Sequence, residues 1–333
     1  MTHLAPYLSR FLMEYLPRDR GASRHTIDSY AYSFQLLVAY AAKRLKTRPS
    51  DIQIEQVGAE LILDFLDHIE SDRANMPRTR NARLAAFKSF YRFLEYRAPT
   101  CLGVAQQVHA IPSKRIEQPV VDYLTRAELQ VLLDVPDRRT ASGIRDRAML
   151  HLAYAAGLRV SELVGLRLDD LEQPAMDAIH VLGKGRRERV LPLWKETQSV
   201  LQDWLQVRPD SKGQQLFLNA RGDAITRHGF ASRLAAHIKI AQKAVPTLAR
   251  KRVTPHVLRH TCAIHTLEAT GDIRRVALWL GHSSVLSTEI YLRIDPAQKL
   301  DILDASAAPQ IRKGSFNGVS DRLLAMLAVA RTP

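Results

Sequence analysis

The stretch "IHVLGKGRRERVLPL", residues 179–193, is where the hydrophobic period of the chain changes. Ile179, Val181 and Leu182 precede a Gly183-Lys184-Gly185 tip, and Val190, Leu191 and Leu193 follow it, which predicts a β-hairpin. On either side the pattern is helical. Upstream, "LTRAELQVLL" (124–133) carries Thr125 as a helix cap and Glu128 at the third helical position to close a capping box. "IRDRAMLHLAYAAGLRVSELVGL" (144–166) continues as helix, and residues 196–297 read helical again, with no internal repeat or low-complexity tract. The expected fold class is mainly α with a small antiparallel β-sheet.

Toward the N-terminus, apolar residues recur at helical spacing, as in Ile27, Tyr30, Phe34 and Leu37, and again in Leu84, Phe87, Tyr91 and Leu94. Four helices are expected, near 4–16, 24–44, 59–71 and 77–96, with Ser23 capping the second. Arg80, Arg83, Lys88 and Arg92 give the fourth a basic side, which reads as a solvated face or, next to a polyanion, as a set of DNA contacts. Residues 98–121 lose periodicity and contain Pro99, Pro112 and Pro119, the signature of a connection between domains. The organisation expected is a helical domain over 1–110, a linker over 111–122, a second domain over 123–300 and a tail over 301–333.

At 333 residues the chain can bury two cores, and its formal net charge of +14 points to a polyanionic partner, most often nucleic acid. Residues 111–300 hold 29 lysines and arginines against 20 acidic residues, so most of the excess lies there. Cys101 and Cys262 are too few and too far apart for a disulfide framework, which fits a reducing cytoplasm. The first twenty residues carry charge within their apolar run and make a poor signal peptide, and no stretch reaches membrane-spanning length, so no membrane partner is expected.

Residues 254–265, "TPHVLRHTCAIH", put three histidines and an arginine in a dozen positions. His256 and His260 are spaced to present two imidazoles to one zinc ion. His256 and Arg259 also share a face, and a guanidinium suits a phosphate better than a dication. The zinc reading lacks a third ligand beyond Cys262, so no metal is expected. Arg159, in "GLRVSEL", lies in an apolar stretch where an arginine must be paired or aimed at an anion, and Glu162 three residues on can orient it in either case. Lys184 at the hairpin tip can reach out of the fold. His282 follows Gly281 near an expected helix start, and Tyr291 comes nine residues later. A phenol becomes a usable nucleophile only among positive groups or beside a base, and Arg159, Arg259, Lys184, His256 and His282 can supply that setting.

Taken in order, these motifs resemble the tyrosine recombinases of the phage-integrase family, which include the bacterial Xer recombinases. The resemblance is close over about 122–297 and looser over "SRHTIDSYAYSFQLLVAY" (23–40), which is similar to the family's helical, SAM-like core-binding domain. It implies that Arg159 and Arg259 clamp a scissile phosphate, Tyr291 attacks it to give a 3′-phosphotyrosyl DNA, and Lys184 protonates the leaving 5′-hydroxyl. His256 would then be general base and His282 a phosphate donor, with His260 and Glu162 behind them. It further implies no cofactor, ATP or metal. The partners implied are duplex DNA with inverted-repeat core sites, a tetrameric synapse of copies of this chain, and in some systems a second recombinase; the C-terminal helix would dock on the neighbouring protomer or, as the alternative, fold back on its own catalytic domain. Because 42 residues follow Tyr291, a mobile-element integrase or transposase is expected over an Xer-type resolvase of chromosome or plasmid dimers. A non-catalytic DNA-binding protein on the same fold, or type IB topoisomerase-like relaxation, are the alternatives.

Overall fold

A computed structural model describes residues 2–116, 121–183, 188–210, 213–281 and 288–291. The chain divides into two compact units, Met1–Gln118 and Pro119–Pro333.

In the first unit α1 (Leu4–Arg10) runs directly into a π-helical segment, Phe11–Asp19. It is followed by α2 (Arg24–Leu45), α3 (Ala59–Ser71) and α4 (Pro77–Leu94). Ser23 Oγ accepts the Thr26 N–H at 3.2 Å, so the expected cap of α2 is present. Leu84, Phe87, Tyr91 and Leu94 form the buried stripe of α4, as their spacing requires. Phe11, Phe34, Phe87 and Phe90 meet edge-on, with ring centroids 5.2 to 5.4 Å apart in the Phe34–Phe90, Phe34–Phe87 and Phe11–Phe90 pairs.

The stretch from residue 98, whose sequence shows no period, contains a further helix, α5 (Leu102–Ala110). It buries only Ala105 and Val108, too little for nine residues to hold a helix by themselves. Its end is held instead by α4. Lys88 Nζ donates to the carbonyls of His109 and Ile111 at 2.8 and 2.5 Å, and Arg80 Nη1 donates to Pro112 O at 2.9 Å. Cations thus satisfy carbonyls at the helix C-terminus that would otherwise lack partners. Asn81 pairs with both backbone groups of Lys114 and extends the grip beyond the helix.

The second unit contains α6 (Arg126–Asp134), α7 (Ala141–Ala155), α8 (Val160–Gly165), the strands β1 (Ala178–Leu182) and β2 (Glu188–Pro192), then α9 (Lys195–Val207), α10 (Arg227–Ala244), α11 (Pro255–Thr270) and α12 (Ile273–Leu280). The capping box of α6 forms as expected, and buried Glu128 also accepts from Thr247 Oγ1 and Lys251 Nζ, each at 2.6 Å. One carboxylate thereby ties the start of α6 to the segment before α11. Helix α7 is buried nearly all round because it packs between α9 and α11.

β1 and β2 pair antiparallel, with Ile179 opposite Leu191 and Val181 opposite Arg189. Strand alternation sends Ile179, Val181 and Leu191 inward, and Leu182 and Val190, counted in the hairpin's apolar set, point outward. Gly281, at φ +63°, closes α12, so the turn before His282 ends a helix. The tail at 301–333 lies outside the described residues. No helix among the described residues is long and apolar enough to cross a membrane.

Candidate active site

The site is assembled around Gly157 at the start of "GLRVSEL". Its φ is +54°, and a Cβ there would lie 2.5 Å from Leu280 Cδ2 and 3.1 Å from Cys262 Sγ. Glycine therefore lets α11 and α12 close onto the loop that carries Arg159. Arg159 sits in extended backbone just before α8, and Glu162 lies one turn into that helix. Glu162 Oε2 accepts the Arg159 backbone N–H at 3.0 Å, and Oε1 accepts Arg159 Nη1 at 2.7 Å.

Two further guanidiniums converge on the same carboxylate. Arg189 Nη2 lies 2.8 Å from Glu162 Oε2 and Arg259 Nη1 lies 3.9 Å from it. Arg259 also donates to the carbonyls of Gly157 and, at 2.8 Å, of Leu280, the last residue of α12. The side chains of Glu162 and Arg259 are both 4% exposed. Burial pushes the Glu162 carboxyl up, but hydrogen bonds from Arg189 and Arg159 outweigh it and hold the group below the usual carboxylate range. Burial, with the like charge of Arg159, lowers Arg259 to about 10, still protonated at neutral pH.

From α11, His260 Nδ1 meets Tyr291 Oη at 2.9 Å. Tyr291 is 2% exposed, and burial raises it to about 12 against the opposing pull of Arg259 and Arg159. Burial, then the neighbouring charges of His256 and Arg259, lower His260 to about 4, so its ring is neutral at pH 7 and the phenol is the donor. His256 is exposed near the start of α11. His265, nearly three turns into α11, bonds to Tyr154 Oη at 3.0 Å and belongs to the core.

The structure thus brings Arg159, Glu162, Arg259, His260 and Tyr291 together, with His256 beside them. Lys184 and His282 lie outside the described residues. The second imidazole of the zinc-spaced pair, His260, faces the phenol, and no cluster of three metal-ligating side chains exists among the described residues. Arg189 was missed by sequence reasoning although strand parity carried the signal. It lies two residues before inward-facing Leu191, and a charge on that face requires a partner.

The basic side of α4 is corrected by the structure. Arg80 and Arg83 are buried and Lys88 is partly buried, with Arg80 and Lys88 spent on backbone carbonyls and the Arg83 guanidinium 5.4 Å over the Tyr32 ring. Of the four expected DNA contacts, only Arg92 is exposed. Periodicity cannot tell a cation that faces water from one that caps a neighbouring helix.

Comparison with known proteins identifies the family. Residues 122–298 match the phage integrase family, and residues 8–98 match its N-terminal SAM-like domain. The chain is 43% identical over 326 residues to y4rC of Sinorhizobium fredii, named as a candidate integrase/recombinase, covering 97% of each chain. It is 31% identical to the tyrosine recombinase XerC of Myxococcus xanthus, over 92% of this chain and 99% of that one. Among solved structures, XerH site-specific recombinase bound to its difH substrate shares the fold, with a TM-score of 0.66 and 21% identity over 88% of this chain and 83% of that one. The Tn1549 transposon integrase in complex with circular intermediate DNA does so too, with a TM-score of 0.66 and 17% identity over 92% of this chain and 100% of that one. The chain is a member of the phage integrase family, the tyrosine recombinases.

Proposed function

We propose that this tyrosine recombinase exchanges strands of duplex DNA at sites of inverted repeats, as the integrase or transposase of a mobile element. The observation that carries the reading is the cluster in which Arg159 and Arg259 share one carboxylate beside a buried phenol. Arg159 and Arg259 hold the non-bridging oxygens of the scissile phosphate. Tyr291 Oη attacks phosphorus and forms a 3′-phosphotyrosyl bond while the 5′-oxygen departs. His256 accepts the phenolic proton and returns it on reversal, Lys184 supplies the proton taken by the 5′-oxygen, and His282 donates to the phosphate. One phosphodiester replaces another, so no ATP or metal enters these steps. Four protomers assemble on two duplexes. The identity to y4rC over nearly the whole of both chains supports the integrase role, and the identity to XerC favours dimer resolution as the alternative.

The test uses a pool of nicked duplexes cut from the DNA flanking the coding region. Cleavage next to a nick releases a short strand and traps the protein covalently. Wild type should form a protein–DNA adduct that survives denaturation, and Tyr291→Phe should bind the same duplexes and form none. An adduct with Tyr291→Phe would remove Tyr291 from the reaction, and sequencing of trapped DNA identifies the site.

A further inference from the structure

We infer that Arg189 is a positioning residue whose charge keeps Arg159 and Arg259 available to a phosphate. The inference rests on the strand-transfer reading above. Arg189 lies on the inward face of β2, opposite buried Val181, with its side chain 11% exposed. Its Nη2 and Nη1 lie 2.8 and 3.5 Å from the two oxygens of Glu162. On its other side it packs against the turn that closes α12, where a Cβ on Gly281 would lie 3.0 Å from Arg189 Cδ.

Charge counting shows what this arrangement does. Glu162 orients Arg159 through Nη1 and the backbone N–H, but a carboxylate in contact with a guanidinium cancels much of its field. With Arg159, Arg259 and Glu162 alone, two phosphate-binding cations would present a net charge of about one. Arg189 brings the group to three cations and one anion, a surplus of two. A phosphodiester carries one negative charge, and the five-coordinate transition state of its transesterification approaches two. Glu162 can therefore hold Arg159 in place without discharging the cluster, because Arg189 is its counterion. Among the described residues its Nε has no hydrogen-bond partner, which fits a residue held for its charge.

The test measures the rate of covalent adduct formation on the trapped duplex at saturating protein, for wild type, R189M, R189K and the double variant R189M/E162Q. Tryptophan fluorescence in each case establishes that the second unit is folded. R189M should lose on the order of 100-fold in rate with duplex affinity little changed. R189K, which keeps the charge and loses the two-pronged contact, should remain within about tenfold of wild type. R189M/E162Q, in which the uncompensated carboxylate is also gone, should recover at least about tenfold over R189M, which a merely structural role for Arg189 would not produce. A methylphosphonate at the scissile position, with one less charge to stabilise, should likewise shrink the R189M deficit. R189M within about threefold of wild type overturns the inference, as does a deficit that persists both in the double variant and on methylphosphonate. If R189M alone does not fold, the double variant buries neither charge and is compared directly with wild type, and its inactivity overturns the inference. A wild-type chain that traps no duplex defeats the strand-transfer reading itself, a result distinct from any difference between variants.

Discussion

Lowering the pH from 6.5 to 4.5 should destabilise the second unit through three histidines. His151, His260 and His265 are each pushed down to about 4, with burial the largest cause in every case. Among the described residues His151 Nε2 has no partner, and the Nδ1 atoms of His260 and His265 lie against the Tyr291 and Tyr154 phenols. In the unfolded chain these rings take up a proton near pH 6.5, but in the folded chain only near pH 4. Between those values the unfolded state binds more protons, so stability rises with pH and is lost as pH falls. Each histidine contributes at most about 1.4 kcal/mol per pH unit, and three contribute roughly 4. Over two pH units the upper bound is about 8 kcal/mol, and halving it for partial exposure leaves about 4, a large share of a domain's 5 to 15. Glu128, Asp146 and Glu162 are held below the ordinary carboxylate range by hydrogen bonds that outweigh their burial, so their losses fall at lower pH. All three tryptophans, Trp194, Trp204 and Trp279, lie in the second unit, so their fluorescence during urea unfolding reports that unit alone. Stabilities at pH 7 and pH 5 that agree within about 1 kcal/mol would refute the assignment of these rings as buried and neutral.

Lys88→Met should lower the stability of the first unit by about 1 to 3 kcal/mol and speed amide exchange across 105–111, because two carbonyls lose a charged donor. Arg92→Ala, at an exposed position of the same helix, should leave that exchange unchanged. Gly157→Ala should destabilise the second unit more than Gly281→Ala, as seen in urea midpoints. Both positions have positive φ, but the new methyl meets Leu280 Cδ2 at 2.5 Å in the first case and Arg189 Cδ at 3.0 Å in the second. Affinity for nonspecific duplex should fall steeply with salt, given the net charge of +14, and a salt-independent affinity would count against phosphate neutralisation as its source.

Sequence alone determined the features whose causes are local. Ser23 and Thr125 cap because a hydroxyl within three residues can reach the orphan N–H groups of its own helix. The stripe Leu84, Phe87, Tyr91, Leu94 and the change of period at 179–193 needed only the geometry of a helix and a strand. Arg159, Glu162, Arg259 and Tyr291 could be picked out because charged and phenolic groups in apolar runs require a reason, and their order resembled a family with one. Other features depended on what the chain brings together over long separations. Helix α5 exists because Lys88 and Arg80, 21 to 32 residues away, reach one carbonyl in its last turn and the two just beyond it, and no period in 98–121 records that. The same contacts turned two members of an expected DNA-facing row, Arg80 and Lys88, into internal caps. His260 was known only as the second histidine of its motif until the fold set it 2.9 Å from a phenol 31 residues on. Arg189 joined the site because strand register placed it over a carboxylate 27 residues earlier. Electrostatics and hydrogen bonding act over a few ångströms of space, so a residue's partners, and with them its protonation state, are decided by tertiary structure.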